Sequence, residues 1–149
     1  MTNATQKNRI IEIARARGTT ERAPATLQNP DVPEVLGAWL GAELHQFQPQ
    51  TVVLWNDTAA AVFGHVVARV LGARVVYAFA DQGVLTLDGD VHAGERVALV
   101  GYDWPERPGL DPLVRLVNNS GAVVAAVGSV LATQHAEVPV VVLDAGASR

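Results

Sequence analysis

Gly94–Leu110 reads GERVALVGYDWPERPGL. The run Val97-Ala98-Leu99-Val100 is short, apolar and rich in valine, which fits a strand buried on both faces. It breaks into the polar, proline-bearing stretch Gly101–Gly109. Asp111-Pro112 then reads as an N-cap followed by proline at the first helical position. A strand that runs through a turn into a helix is the unit of an α/β sheet. In such sheets ligands gather at the strand-to-helix turns. This one stretch therefore indicates both the fold class and the candidate site.

The same alternation extends in both directions. Upstream, Thr51–Trp55 is a β-branched strand, and Asn56-Asp57-Thr58 is a polar turn with N-cap chemistry. Ala59–Leu71 follows with Val62, Phe63, Val66, Val67, Val70 and Leu71 on one helical face, and Gly72 ends it. Arg74–Ala80 is a second buried strand. Asp81–Gly94 alternates and carries Gly83, Gly89 and Gly94, which predicts a β-ribbon or mobile excursion turning at Asp88-Gly89-Asp90. Downstream, Leu113, Val114, Leu116 and Val117 make a helix closed by Gly121. Ala122–Leu131 and Val138–Leu143 are two more strands.

Before these units, Asn8–Arg17 places Ile10, Ile11, Ile13 and Ala14 on one side of a short helix ended by Gly18. Thr19–Pro30 is a connecting loop. Asp31 and Glu34 have the spacing of a capping box. Val32, Val35, Leu36, Trp39, Leu40, Leu44 and Phe47 then recur at helical spacing until Pro49. The expected fold is α/β, a mostly parallel, five-stranded twisted sheet with helices on both faces.

The chain has 149 residues, 49 % apolar and 17 % charged, which predicts one globular domain over residues 1–149. Its parts are an N-terminal helix and loop over 1–30 and a flexible ribbon over 81–94. Net charge is −4, and basic residues cluster only at Arg9, Arg15, Arg17 and Arg22. A nucleic-acid partner is not expected. The absence of cysteine excludes disulfides, thiolate catalysis and Cys-ligated zinc. No apolar run suits a membrane span or a signal peptide, so the expectation is cytoplasmic, with no membrane partner. His45, His65, His92 and His135 show no i, i+4 pairing, so no transition-metal site is expected.

From Thr51 to Leu143 the chain resembles the type I phosphoribosyltransferases. The resemblance lies in an ordered set of pieces. They are the strand Val52–Trp55 with its small-residue turn, the helix ending Val67-Ala68-Arg69-Val70-Leu71-Gly72, and the strand Arg74–Tyr77. The ribbon Gly83–Gly89, the approach Gly94–Val100 and the entry Ser120–Val127 complete the set. The resemblance implies transfer of ribose 5-phosphate from phosphoribosyl pyrophosphate to a base, with Mg²⁺ on the pyrophosphate. In that family two acidic residues hold the ribose hydroxyls, and a loop of hydroxyls and backbone N–H groups wraps the phosphate at a helix N-terminus.

Laid in that frame, Gly101 and Tyr102 stand where the two acids belong, and Asp103 follows one step late as the candidate catalytic carboxylate. Pro105, Glu106, Arg107, Pro108 and Gly109 stand where the phosphate cradle belongs. Two prolines remove N–H donors, Glu106 repels a dianion, and Arg107 alone welcomes one. Asn56, Asp57, Thr58 and Ala59 fall where the family binds pyrophosphate. The alternative is a plain strand-to-helix turn with Asp57 or Thr58 as its N-cap. Asp81, Gln82 and His92 belong to a ribbon that either closes over the site as a hood or is a solvated hairpin. Trp55, Tyr102 and Trp104 offer an aromatic surface for a base or a subunit contact, and packing over the loop is the alternative for Trp104.

Three functions remain open at this level. The first is a phosphoribosyltransferase-like protein of nucleotide and base metabolism. Its phosphoribosyl pyrophosphate site is lost or altered, and it binds a nucleotide, base or phosphorylated sugar. The second is an active transferase using Asp103, Arg107 and Mg²⁺. The third is a non-catalytic regulatory or interaction module. A homodimer is expected in each case, and no cofactor unless the chain is active.

Overall fold

The computed structural model describes residues 4–15, 29–104, 109–131 and 133–144. In chain order the elements are α1 (Ala4–Arg15), α2 (Asp31–Leu44), β1 (Thr51–Trp55), α3 (Thr58–Leu71), β2 (Arg74–Asp81) and β3 (Val84–Leu87). They continue with β4 (Arg96–Gly101), α4 (Leu110–Asn119), β5 (Val123–Ser129) and β6 (Val140–Val142). The strands form one sheet in the order β3-β2-β1-β4-β5-β6. Every pairing is parallel except that of β2 with β3.

Strand alternation sorts the core onto two faces. Val52 and Leu54 of β1 pack with Ile10, Leu36, Leu40, Phe63 and Val67, so α1, α2 and α3 cover one face. Val53 packs with Val97, Leu99, Leu113 and Val117, so α4 covers the other. The α2–α3 contact is close because α2 carries glycine there. A Cβ on Gly37 would stand 2.6 Å from the Cβ of Val66. Beneath α3, a Cβ on Gly64 would run into the Leu54 side chain.

The N-terminal edge of the sheet is tied by charge. Glu95, just before β4, accepts from Thr51 Oγ1 of β1, from the His92 N–H at 2.8 Å, and from Arg74 Nη2 of β2 at 3.1 Å. Burial alone would raise the carboxyl's pKa. The bonds from His92, Thr51 and Arg74 outweigh it and hold the group at about 2.

The mostly parallel α/β sheet agrees with expectation, but it has six strands rather than five. The extra one is β3. The ribbon turns at Gln82-Gly83 (φ 51° and 81°), not at Asp88-Gly89-Asp90. Positive φ at both central residues makes the two-residue turn whose twist matches the flanking strands. The segment from Val84 to Leu87 is thereby paired to β2. Asp88 instead closes the ladder, its Oδ1 accepting from Tyr77 N at 2.8 Å.

Several element ends also shift. Asp31 is already helical, and no side chain caps α2, which ends at Leu44 and passes through a 3₁₀ turn before Pro49. Asp31 and Glu34 instead reach Arg9 and Arg69, each at 3.3 Å. α1 starts four residues before Asn8. Its continuation to Arg17, Gly18 and most of the Thr19–Pro30 loop, Thr19–Gln28, lie outside the described residues, as do the side chains of Ile13 and Ala14. Val62 and Val70 of α3 are exposed rather than on its buried face. β5 and β6 are shorter than the apolar runs that contain them.

Candidate functional site

From β1 the chain passes through α3 to β2, on one side of the sheet order. From β4 it passes through α4 to β5, on the other. The strand order thus reverses between β1 and β4. Their carboxyl ends form the crevice where open α/β sheets bind ligands. Two adjoining clefts lie there. The larger, about 500 Å³, is lined by Trp55, Asn56, Asp57, Ala78, Phe79, Ala80 and Asp103. The smaller, about 170 Å³, is lined by Trp55, Asp57, Ala59, Ala60, Gly101, Tyr102 and Asp103.

The β1 side is held by an ordinary capped turn. Asn56 N–H donates to Ala78 O at 2.9 Å, which ties the turn to β2. Asp57 is extended, and its Oδ1 accepts from Ala60 N at 2.8 Å. A carboxylate therefore occupies the N-terminus of α3, where the helix dipole and free N–H groups would otherwise favour an anionic ligand.

The β4 side is held by two aromatic residues that face different cores. The Tyr102 ring meets Phe63 edge-on at 6.4 Å, on the α3 side. The Trp104 indole lies in the α4-side core and donates from Nε1 to Gly128 O at 3.2 Å. It folds back over Gly101, where a Cβ would meet its Cε2 at 2.9 Å. Tyr102 O also accepts from Val130 N and Leu131 N, at 3.1 and 3.0 Å. Asp103, between these anchors, is left half-buried and lines both clefts.

The structure brings together Trp55, Asn56, Asp57, Ala59, Tyr102 and Asp103. Thr58 opens α3, exposed, and lines neither cleft. Tyr102 and Trp104 are buried on opposite sides of the sheet, so with Trp55 they do not make one exposed aromatic surface. Gly109 is the N-cap of α4, and Asp111, placed by the sequence at that cap, is inside the helix. Its Oδ1 meets His135 Nε2 at 2.9 Å instead. Asp81 and Gln82 stand at the β2–β3 hairpin, while His92 is beside Glu95 at the opposite edge of the sheet from the crevice. Pro105, Glu106, Arg107 and Pro108 lie outside the described residues.

Phe79 was missed by the sequence reading. Its signal is that it follows Ala78, the residue of β2 that pairs with Trp55 at the end of β1. Among the described residues, those lining the clefts include two carboxylates and no Lys, Arg or His. No group of three or more His, Asp or Glu among the described residues could hold a metal ion. Asp57 and Asp103 suit only the partial role of carboxylates that share Mg²⁺ with a ligand's phosphates. No described helix is long and apolar enough to cross a membrane.

No protein-family model and no curated protein matches the chain. Solved structures do. The adenine phosphoribosyltransferase of Saccharomyces cerevisiae, complexed with an imino-altritol bisphosphate and adenine, is 16 % identical with a TM-score of 0.66 over 91 % of this chain and 98 % of that one. The Trypanosoma brucei enzyme, in complex with AMP, pyrophosphate and ribose-5-phosphate, is 15 % identical with a TM-score of 0.65 over 95 % and 80 %. The Leishmania tarentolae enzyme is 18 % identical with a TM-score of 0.61, and the match covers 75 % of this chain and only 65 % of that one. The chain has the α/β fold of the type I phosphoribosyltransferases.

Proposed function

We propose that this is a phosphoribosyltransferase-like protein of nucleotide and base metabolism whose use of phosphoribosyl pyrophosphate is lost or altered. Its crevice takes the base end of a nucleotide-type ligand. The fold and the position of the clefts support a site for such ligands. The neighbours from T. brucei and S. cerevisiae are complexed with AMP and adenine at this level of likeness. One observation carries the altered chemistry: Asp57 Oδ1 accepts from Ala60 N at the N-terminus of α3. An anion in that seat would displace or oppose a carboxylate. Asp103 adds a second negative charge to the same clefts. At the other helix N-terminus, Asp111 lies in the first turn of α4 and Pro112 has no N–H to offer.

Calorimetry tests the reading. Adenine, adenosine and AMP are titrated into the protein beside phosphoribosyl pyrophosphate with Mg²⁺. The expected result is saturable binding of the base-containing ligands, with adenosine at least as tight as AMP, and none of the pyrophosphate. Saturable binding of phosphoribosyl pyrophosphate, with pyrophosphate released when a base is added, would return the protein to the active transferases.

A further inference from the structure

The larger cleft pairs aromatic rings with negative charge. Trp55 and Phe79 both line it, and both are half-buried. Phe79 belongs to neither core cluster, whereas on the same strand Val75 and Tyr77 pack into one and Val76 into the other. A large ring held at a cleft and outside the core is available to a ligand. Ala78, the register partner of Trp55, and Ala80 lie on the indole's side of β2 and leave the wall beside it shallow, which suits a flat group, while Phe79 lines the cleft from the other face of the strand. Asp57 and Asp103 supply the charge, with no cationic side chain among the described lining residues. About 500 Å³ is enough for a nucleoside-sized ligand.

These features discriminate by charge. A neutral ring gains stacking alone. An anion gains stacking and meets like charge. A ring with a fixed positive charge gains stacking, attraction to the aromatic quadrupole, for which indole is the best side chain, and attraction to the carboxylates. We infer that the crevice is selective for N-alkylated, positively charged heteroaromatic rings such as those of methylated nucleosides. This rests on the nucleotide- or base-binding reading above and narrows it to a charge class.

The test compares adenosine with 1-methyladenosine, which carries a positive ring at neutral pH, by calorimetry on the full chain. The expected result is about tenfold tighter binding of the methylated nucleoside, equivalent to about 1.4 kcal/mol. Trp55→Leu abolishes that preference, and Trp55→Phe, which keeps a ring, retains part of it. Asp103→Asn, nearly isosteric, reduces the preference and its sensitivity to salt. Equal affinity for the two nucleosides overturns the inference and leaves nucleoside binding standing. Failure of both to bind, with saturable binding of phosphoribosyl pyrophosphate and Mg²⁺, overturns the inference and the reading beneath it together.

Discussion

The indole N–H of Trp104 donates to the carbonyl of Gly128 at 3.2 Å, bridging the chain after β4 to the neighbouring strand β5. With the ring lying over Gly101, this bond fixes where the chain leaves β4 and so where Asp103 stands. Trp104→Phe keeps most of the packing and loses the bond, at a cost of about 1 kcal/mol. Trp104→Ala also leaves a void, for about 3–5 kcal/mol in total. Urea unfolding measures both. A Trp104→Ala variant within about 1 kcal/mol of the parent would show that the ring is not the anchor described.

Asp57 separates the structural role of a cap from the electrostatic role of a charge. Asp57→Asn retains an N-cap of similar quality, so stability changes by less than about 0.5 kcal/mol. Asp57→Ala loses the bond to Ala60 N and costs about 1 kcal/mol. The asparagine variant, with the negative charge gone from the helix N-terminus, binds inorganic phosphate and phosphoribosyl pyrophosphate more tightly than the parent. Titration of each anion at low salt reads this directly. No gain in anion affinity would remove the main argument for an altered pyrophosphate site.

Glu95 makes stability depend on acid. Its carboxyl is held at about 2 in the folded chain, below the ordinary value of 4.5. A folded pKa below the unfolded one adds stability that is fully present above the unfolded value. That contribution fades as pH falls from about 4.5 towards about 2. Glu95→Gln removes the charge-assisted bonds, costs about 1.5–3 kcal/mol at neutral pH and flattens the acid limb. Urea midpoints taken across this pH range, parent beside variant, check the sign and the window. Parallel curves would contradict the assignment.

Two glycines separate packing from backbone conformation. At Gly37 an added Cβ meets the Cβ of Val66, an atom that no side-chain rotation can move, at 2.6 Å. Gly37→Ala therefore forces α2 and α3 apart and costs about 1–3 kcal/mol, net of the helix propensity that alanine adds. At Gly72 nothing lies within 4 Å, but φ is +66°. Gly72→Ala costs about 1 kcal/mol through backbone strain alone. Unfolding data on the variants, with and without a compensating Val66→Gly that removes this Cβ, distinguish the two. Only the Gly37 penalty should be relieved.

Much of the fold is legible along the chain. β1, α3 and the glycine that ends α3 lie where the apolar period, the Asp57 cap and Gly72 place them, because each is set by neighbours a few residues away. The capping box at Asp31 and Glu34 is not there, because Asp31 is itself in the helix with Pro30 at the cap position, and both carboxylates reach distant partners, Arg9 and Arg69. The face of α3 is misjudged at Val62 for a related reason. Gly37 and Gly41 bring α2 close and choose which stripe of α3 is covered. The hairpin has several glycine-bearing turns to choose from. Pairing of Asp81 with Val84 selects Gln82-Gly83.

For the candidate site, the amino-acid sequence alone determined the strand-to-helix turns at Asn56–Ala59 and after Gly101, and the excess of carboxylate over cation near them. Turn chemistry and charge are properties of residue type. Only the tertiary structure decided that Asp57 and Asp103, 46 positions apart by their numbers, line the same clefts, that Phe79 joins them, and that Tyr102 and Trp104 are anchors facing opposite cores. The reason is the sheet order. Parallel pairing of β1 with both β2 and β4 makes neighbours of strand ends that the sequence keeps far apart, and alternation along each strand then assigns every side chain its face.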